Sequence, residues 1–85
     1  MLKFKLLEDQ DWYKRRTRLQ EPNLAVGVTL QSGSVYDEPI KMMAAFQDGS
    51  VKPMSGRILS NVDGLIKIQA INYSGDTLLC EVRVD

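Results

Sequence analysis

At 85 residues the chain has room for one small domain, which buries only about 60 to 65% of its unfolded surface, so a second independent core is excluded. With 44% hydrophobic and 26% charged residues it lies outside the disordered class. Its 11 basic residues are matched by 11 acidic ones, which excludes the strongly basic balance of a domain built to coat nucleic acid.

The charge is unevenly placed. Residues 1–21 hold Lys3, Lys5, Lys14, Arg15, Arg16 and Arg18 against Glu8, Asp9, Asp11 and Glu21, while the remainder carries an acidic excess. Cys80 is the single cysteine, so an internal disulfide is impossible, and its place on an alternating stretch predicts a buried, inert thiol suited to a reducing compartment. No apolar run approaches the roughly 18 residues that span a bilayer. The opening MLKFKLLEDQ meets acids too soon for a secretory signal. The expected location is a cytoplasm, or a virion packaged from one.

In chain order, Leu2, Phe4 and Leu6 alternate with Lys3 and Lys5, predicting a first strand or extended arm. Asp9 and Glu21-Pro22 supply start and stop signals for a short helix. Its apolar stripe, Trp12 and Leu19 with Arg16 between them, is thin, so residues 1–22 are expected to form an arm or short helix and residues 23–85 the domain. From Leu24 the pattern turns to period two. Leu24, Val26, Val28 and Leu30 are expected to point inward, against Ala25, Gly27, Thr29 and Gln31. Ser32 to Pro39 reads as a connection. Ile40, Met42, Ala44 and Phe46 form the next inward row, followed by Asp48-Gly49, a pair suited to a type I′ hairpin turn. A short strand over Ser50–Lys52 is expected to stop at Pro53, and another over Arg57–Ser60 to turn at Asn61–Gly64. Two well-patterned strands then close a hairpin: Ile66, Ile68 and Ala70 on one, Leu78, Cys80, Val82 and Val84 on the other.

Six to seven short strands separated by turn signals predict an all-β sandwich or small barrel. Ala70-Ile71-Asn72-Tyr73-Ser74-Gly75, followed by an alternating strand ending in Val82-Arg83-Val84, resembles the closing hairpin of immunoglobulin-like domains. The resemblance covers residues 64–85 and comes without a paired cysteine. It implies a truncated immunoglobulin-like β-sandwich; an SH3-like or OB-like small barrel is the alternative. Neither fold fixes a function.

Catalytic chemistry finds little to work with. The chain has no histidine, so the commonest general base and metal ligand is missing and hydroxyl or thiol nucleophiles lack their usual activator. One cysteine cannot build a zinc site. The carboxylates Asp37, Glu38, Asp48, Asp63 and Asp76 stand where turns are predicted, the ordinary position for such residues. No calcium loop or glycine-rich phosphate loop is present. The expectation is a protein that is not an enzyme and takes no metal or cofactor.

Two features point to binding. The segment Trp12-Tyr13-Lys14-Arg15-Arg16-Thr17-Arg18 joins aromatic to basic side chains, a combination that suits an anchor in a partner protein, a solvated face, or a nucleic-acid backbone. Trp12, Tyr13, Arg15, Arg16 and Arg18 are its candidate contacts. On the outward rows, Met43, Ala45, Ile71 and Leu79 are apolar where a solvent-facing strand is polar, and together they predict a patch that another surface covers. The functional expectation is a structural module docked on a larger protein assembly, such as a capsid decoration or tail-associated virion protein, with a homo-oligomer possible. A small nucleic-acid-binding barrel using residues 12–18 and a phage-encoded inhibitor of a host protein are the alternatives.

Overall fold

In a computed structural model of the chain, the residues described are 2–7 and 24–84. They form six strands: β1 (Phe4–Leu6), β2 (Ala25–Ser32), β3 (Ile40–Phe46), β4 (Val51–Val62), β5 (Leu65–Ile71) and β6 (Thr77–Arg83). The helix expected near Asp9–Gln20 lies outside the described residues. All pairings are antiparallel, in the order β1-β6-β5-β4-β3-β2. Strands β2 to β6 form a meander, β1 adds to the far side of β6, and β1 comes back against β2 to leave the sheet nearly closed. A single curled sheet of this kind is a small barrel, which fits the SH3-like or OB-like alternative. The expected two-sheet sandwich is not what these pairings build. Alternation is common to both architectures, and only the pairing order separates them.

Strand β4 makes the curl possible. Its first half, Val51–Gly56, pairs with β3, and its second half, Ser55–Val62, pairs with β5. The two ladders overlap only at Ser55 and Gly56. Gly56 lies between Ile40 on one side and Ala70 on the other, and a Cβ there would come within 2.8 Å of Met42 Sδ and 2.9 Å of Ile68 Cγ2. Absence of a side chain therefore lets the inward rows of β3 and β5 meet. The core they form contains Ile40, Met42, Ala44 and Phe46 of β3, Ile66, Ile68 and Ala70 of β5, and Leu78, Cys80 and Val82 of β6. Phe4 and Leu6 of β1 pack against it from the start of the chain.

Three local expectations are corrected. In β2 the register slips between Ala25 and Gly27, so Ala25 is buried and Val26 is 62% exposed; the extra residue of a β-bulge reverses the facing on one side of it. Pro53 does not stop a strand. Starting from the Phe46–Ser50 bond, Phe46 N–H to Ser50 O at 2.9 Å, alternate pairs are hydrogen-bonded, which puts Met43↔Pro53 at a non-bonded pair. The amide hydrogen that Pro53 lacks would have pointed away from β3, toward an edge that β5 leaves uncovered beyond Ser55↔Ile71. The type I′ turn is at Asp63-Gly64, where φ is 53° and 82°. At Asp48-Gly49 only Gly49 is left-handed, at 88°, and the Gly49 N–H donates to Phe46 O, giving a type I turn with a glycine bulge. The turn after β5 repeats this form with Gly75.

The end of β3 shows how the ladder is completed when a strand stops. The Ile40↔Gly56 register places Ile58 opposite residue 38, where Glu38-Pro39 is a cis peptide and strand pairing has ceased. The Ile58 N–H instead donates to Glu38 Oε1 at 2.8 Å. A side-chain carboxylate stands in for a missing strand carbonyl.

Gly56→Ala is expected to lower stability by about 1–3 kcal/mol through overpacking against Met42 and Ile68. Urea unfolding checks this: the midpoint falls, and the additional replacement Met42→Ala recovers part of the loss.

Candidate interaction surface

The outer face of the barrel is built by the residues that alternate with the core. On β4 these are Val51, Pro53, Ser55 and Arg57, all exposed. Across from them, Lys41 of β3 stands opposite Ser55, and on the other side Ile71 of β5 also stands opposite Ser55. Gln69 of β5 is opposite Arg57 and accepts from Arg57 Nε through its Oε1 at 3.2 Å. These rows floor a groove of about 490 Å³ beside Glu38, Pro39, Arg57, Gln69 and Ile71. It continues past Ser55 and Ile71 into a second hollow of about 360 Å³ reaching Lys41, Pro53 and Tyr73, and then along Lys52 and Ser74.

Tyr73 is held at the far end by the turn after β5. Asn72 Oδ1 accepts from the Ser74 and Asp76 amides at 2.9 and 3.0 Å, and its Nδ2 donates to Asp76 Oδ2 at 3.1 Å. This closed set of bonds keeps Asp76 at 2% exposure and projects Tyr73 fully into solvent. Ile71, 48% exposed, completes an apolar surface with Pro53 and Tyr73.

Two further carboxylates serve as local acceptors as well. Asp37 Oδ2 accepts from the Ser34 amide and Asp48 Oδ1 from the Ser50 amide. Glu38, the one acid lining the groove among the described residues, has Oε1 engaged by Ile58. The cations Lys41 and Arg57 are left on the outward face with no ion pair among the described residues. Lys52 sits at the barrel mouth with its Nζ 5.1 Å from the centre of the Phe46 ring, a cation–π contact.

Ile71 is thus in the groove as expected of the outward row. Met43 and Ala45 are half-buried on the outer face of β3, beside Pro53 and Val51 respectively. Leu79 is half-buried beside Gln69 on β6, and its carbonyl accepts from the Leu7 amide. The four residues share one sheet, but β4 separates Met43 and Ala45 from Ile71 and Leu79. Trp12, Tyr13, Arg15, Arg16 and Arg18 lie outside the described residues. Lys41, Pro53, Ser55, Arg57 and Tyr73 were not among the sequence candidates. The alternation of Val51, Pro53, Ser55 and Arg57 is a signal for them once the strand is read through the proline.

No cluster of three or more potential metal ligands occurs among the described residues, and no helix among them is long and apolar enough to cross a membrane. Comparison of the chain with protein families, with curated proteins and with solved structures gives no match.

Cys80 is fully buried between Leu6 on β1 and Ile68 on β5. Burial, with the neighbouring Glu81 adding to it, pushes its thiol up to about 12 from 9.0. The folded value is raised above the unfolded one, so this group's contribution is fully present below pH 9 and is lost as pH rises through the folded value near 12. Iodoacetamide is therefore expected to label Cys80 only through unfolding, at neutral pH and in native buffer far more slowly than in urea. Cys80→Ala should flatten the alkaline fall in stability above pH 9, checked by denaturation at stepped pH.

Proposed function

We propose that the chain is a non-enzymatic interaction module that docks on a larger protein assembly through the outer face of β3, β4 and β5. The observation that carries this reading is the groove in which Ile71, Pro53 and the fully exposed Tyr73 form an apolar surface beside Lys41 and Arg57, which have no ion pair among the described residues. Exposed aliphatic and tyrosine side chains held on rigid strands and a tied turn suit an anchor, since tyrosine and arginine are enriched where binding energy concentrates. Because the bonds of Asn72 fix the turn beforehand, covering Tyr73 costs side-chain rather than backbone entropy.

The absence of histidine, the buried thiol and the use of carboxylates as turn acceptors support a module without catalytic chemistry. A small virion component, such as a capsid decoration or tail-associated protein, is the form of assembly we favour: the small all-β barrel is mostly a holder for one face.

The double variant Ile71→Asp, Tyr73→Ala replaces only exposed side chains, so its melting temperature is expected to stay close to that of the wild type. Native mass measurement of the complex isolated from the producing cells should show a stoichiometric protein partner with the wild type. With the variant, affinity for that purified partner should fall at least roughly tenfold, about 1.4 kcal/mol. An unchanged complex, or one dissolved by nuclease, overturns the reading.

A further inference from the structure

We infer that the docking groove takes an extended acidic segment of its partner, with a carboxylate between Arg57 and Lys41 and an apolar side chain on Ile71, Pro53 and Tyr73. This deepens the proposed docking role and rests on it. The two cations are diagonal neighbours on paired strands, Lys41 being opposite Ser55 and Arg57 two residues further, a backbone separation of about 7–8 Å. One carboxylate placed between them can meet both side chains. The guanidinium is already oriented, because its Nε is fixed by Gln69 Oε1, leaving its terminal nitrogens to make the fork that suits a carboxylate.

Charge supports an acidic occupant over a basic one. Among the described residues the groove is lined by Lys41, Lys52 and Arg57 against the single acid Glu38. Lys41 and Arg57 have no ion pair among the described residues. Geometry supports a peptide over a nucleic-acid strand. From Arg57 to Pro53 the groove runs four residues of β4, about 13 Å, and along that line the aliphatic Ile71 and Pro53 lie beside the cations Arg57 and Lys41. A polyphosphate backbone would lay charge on those aliphatic side chains. An extended peptide can present a carboxylate at one point and an apolar side chain a few residues later. Addition of the partner as a further strand is disfavoured, because Pro53 removes a donor at the uncovered edge of β4. Recognition then falls on side chains.

Fluorescence polarisation with the full chain tests this, using a short labelled peptide of alternating glutamate and leucine, its lysine–leucine counterpart, and an oligo-dT strand. The glutamate peptide should bind, more weakly as salt rises, and Arg57→Glu and Lys41→Glu should each weaken it at least roughly tenfold. Arg57→Glu should also let the lysine peptide bind. Circular dichroism confirms that both variants keep the fold. Failure of the glutamate peptide to bind, preference for oligo-dT, indifference to Arg57→Glu and Lys41→Glu, or self-association abolished by Ile71→Asp would each overturn the inference. The two readings fail separately: a natural partner lost with Ile71→Asp, Tyr73→Ala but retained with Arg57→Glu and Lys41→Glu keeps the docking role and removes the acidic partner.

Discussion

The barrel depends on one strand serving two ladders. β4 gives its first half to β3 and its second to β5, and the change of partner occurs where Gly56 leaves space for Met42 and Ile68. A side chain there would push against Met42 and Ile68 and strain the curl. A flat six-stranded sheet of this length would leave one apolar face in water, since no helix among the described residues covers it. The curl lets the sheet bury its own inner face, which matters in a chain too small to bury more than about two thirds of its surface.

The same curl decides where charge ends up. The formal charge of the chain is zero, yet among the described residues the exposed charges on the outer rows of β3 to β5 are Lys41, Arg57 and Lys67. Three carboxylates sit where strands end and accept from amides there: Glu38 serves Ile58, Asp48 serves Ser50 and Asp37 serves Ser34. Lysine and arginine donate but cannot accept, so they cannot fill that role for an amide and remain on the strand faces. Net neutrality is therefore compatible with a directional surface potential, and the exclusion of nucleic-acid coating drawn from composition leaves a smaller anionic contact open.

The inner rows of β3, β5 and β6 were legible in the sequence because each alternates without interruption, from Ile40 to Phe46, from Ile66 to Ala70 and from Leu78 to Val82. What went unread was whatever depends on neighbours. The exposure of Val26 follows from a register slip against β3, which β2 alone does not encode. Pro53 looked like a stop because its missing donor was counted as a loss, whereas on a singly paired half-strand the donor had no partner to lose. The choice of barrel over sandwich rests on pairing order, to which period-two patterning is blind. For the surface, the outward position of Ile71 was readable, but its juxtaposition with Lys41 and Arg57 required the register across Ser55.

On the proposed docking role, Pro53 would also shape what the surface can recognise. Where β5 stops at Ile71, the first half of β4 has an edge with no strand on it among the described residues, and an uncovered edge ordinarily invites backbone pairing with any extended chain. Such pairing is nearly indifferent to sequence. With Pro53 at a position whose amide would face that edge, and with Tyr73 and Asn72 standing alongside, continuous backbone pairing is interrupted. For a partner docked as proposed above, discrimination would pass to the side chains that line the groove, where the cations Lys41 and Arg57 and an aliphatic patch are held by paired strands. Such a partner would have to match both their chemistry and their spacing, which would make Pro53 a source of specificity.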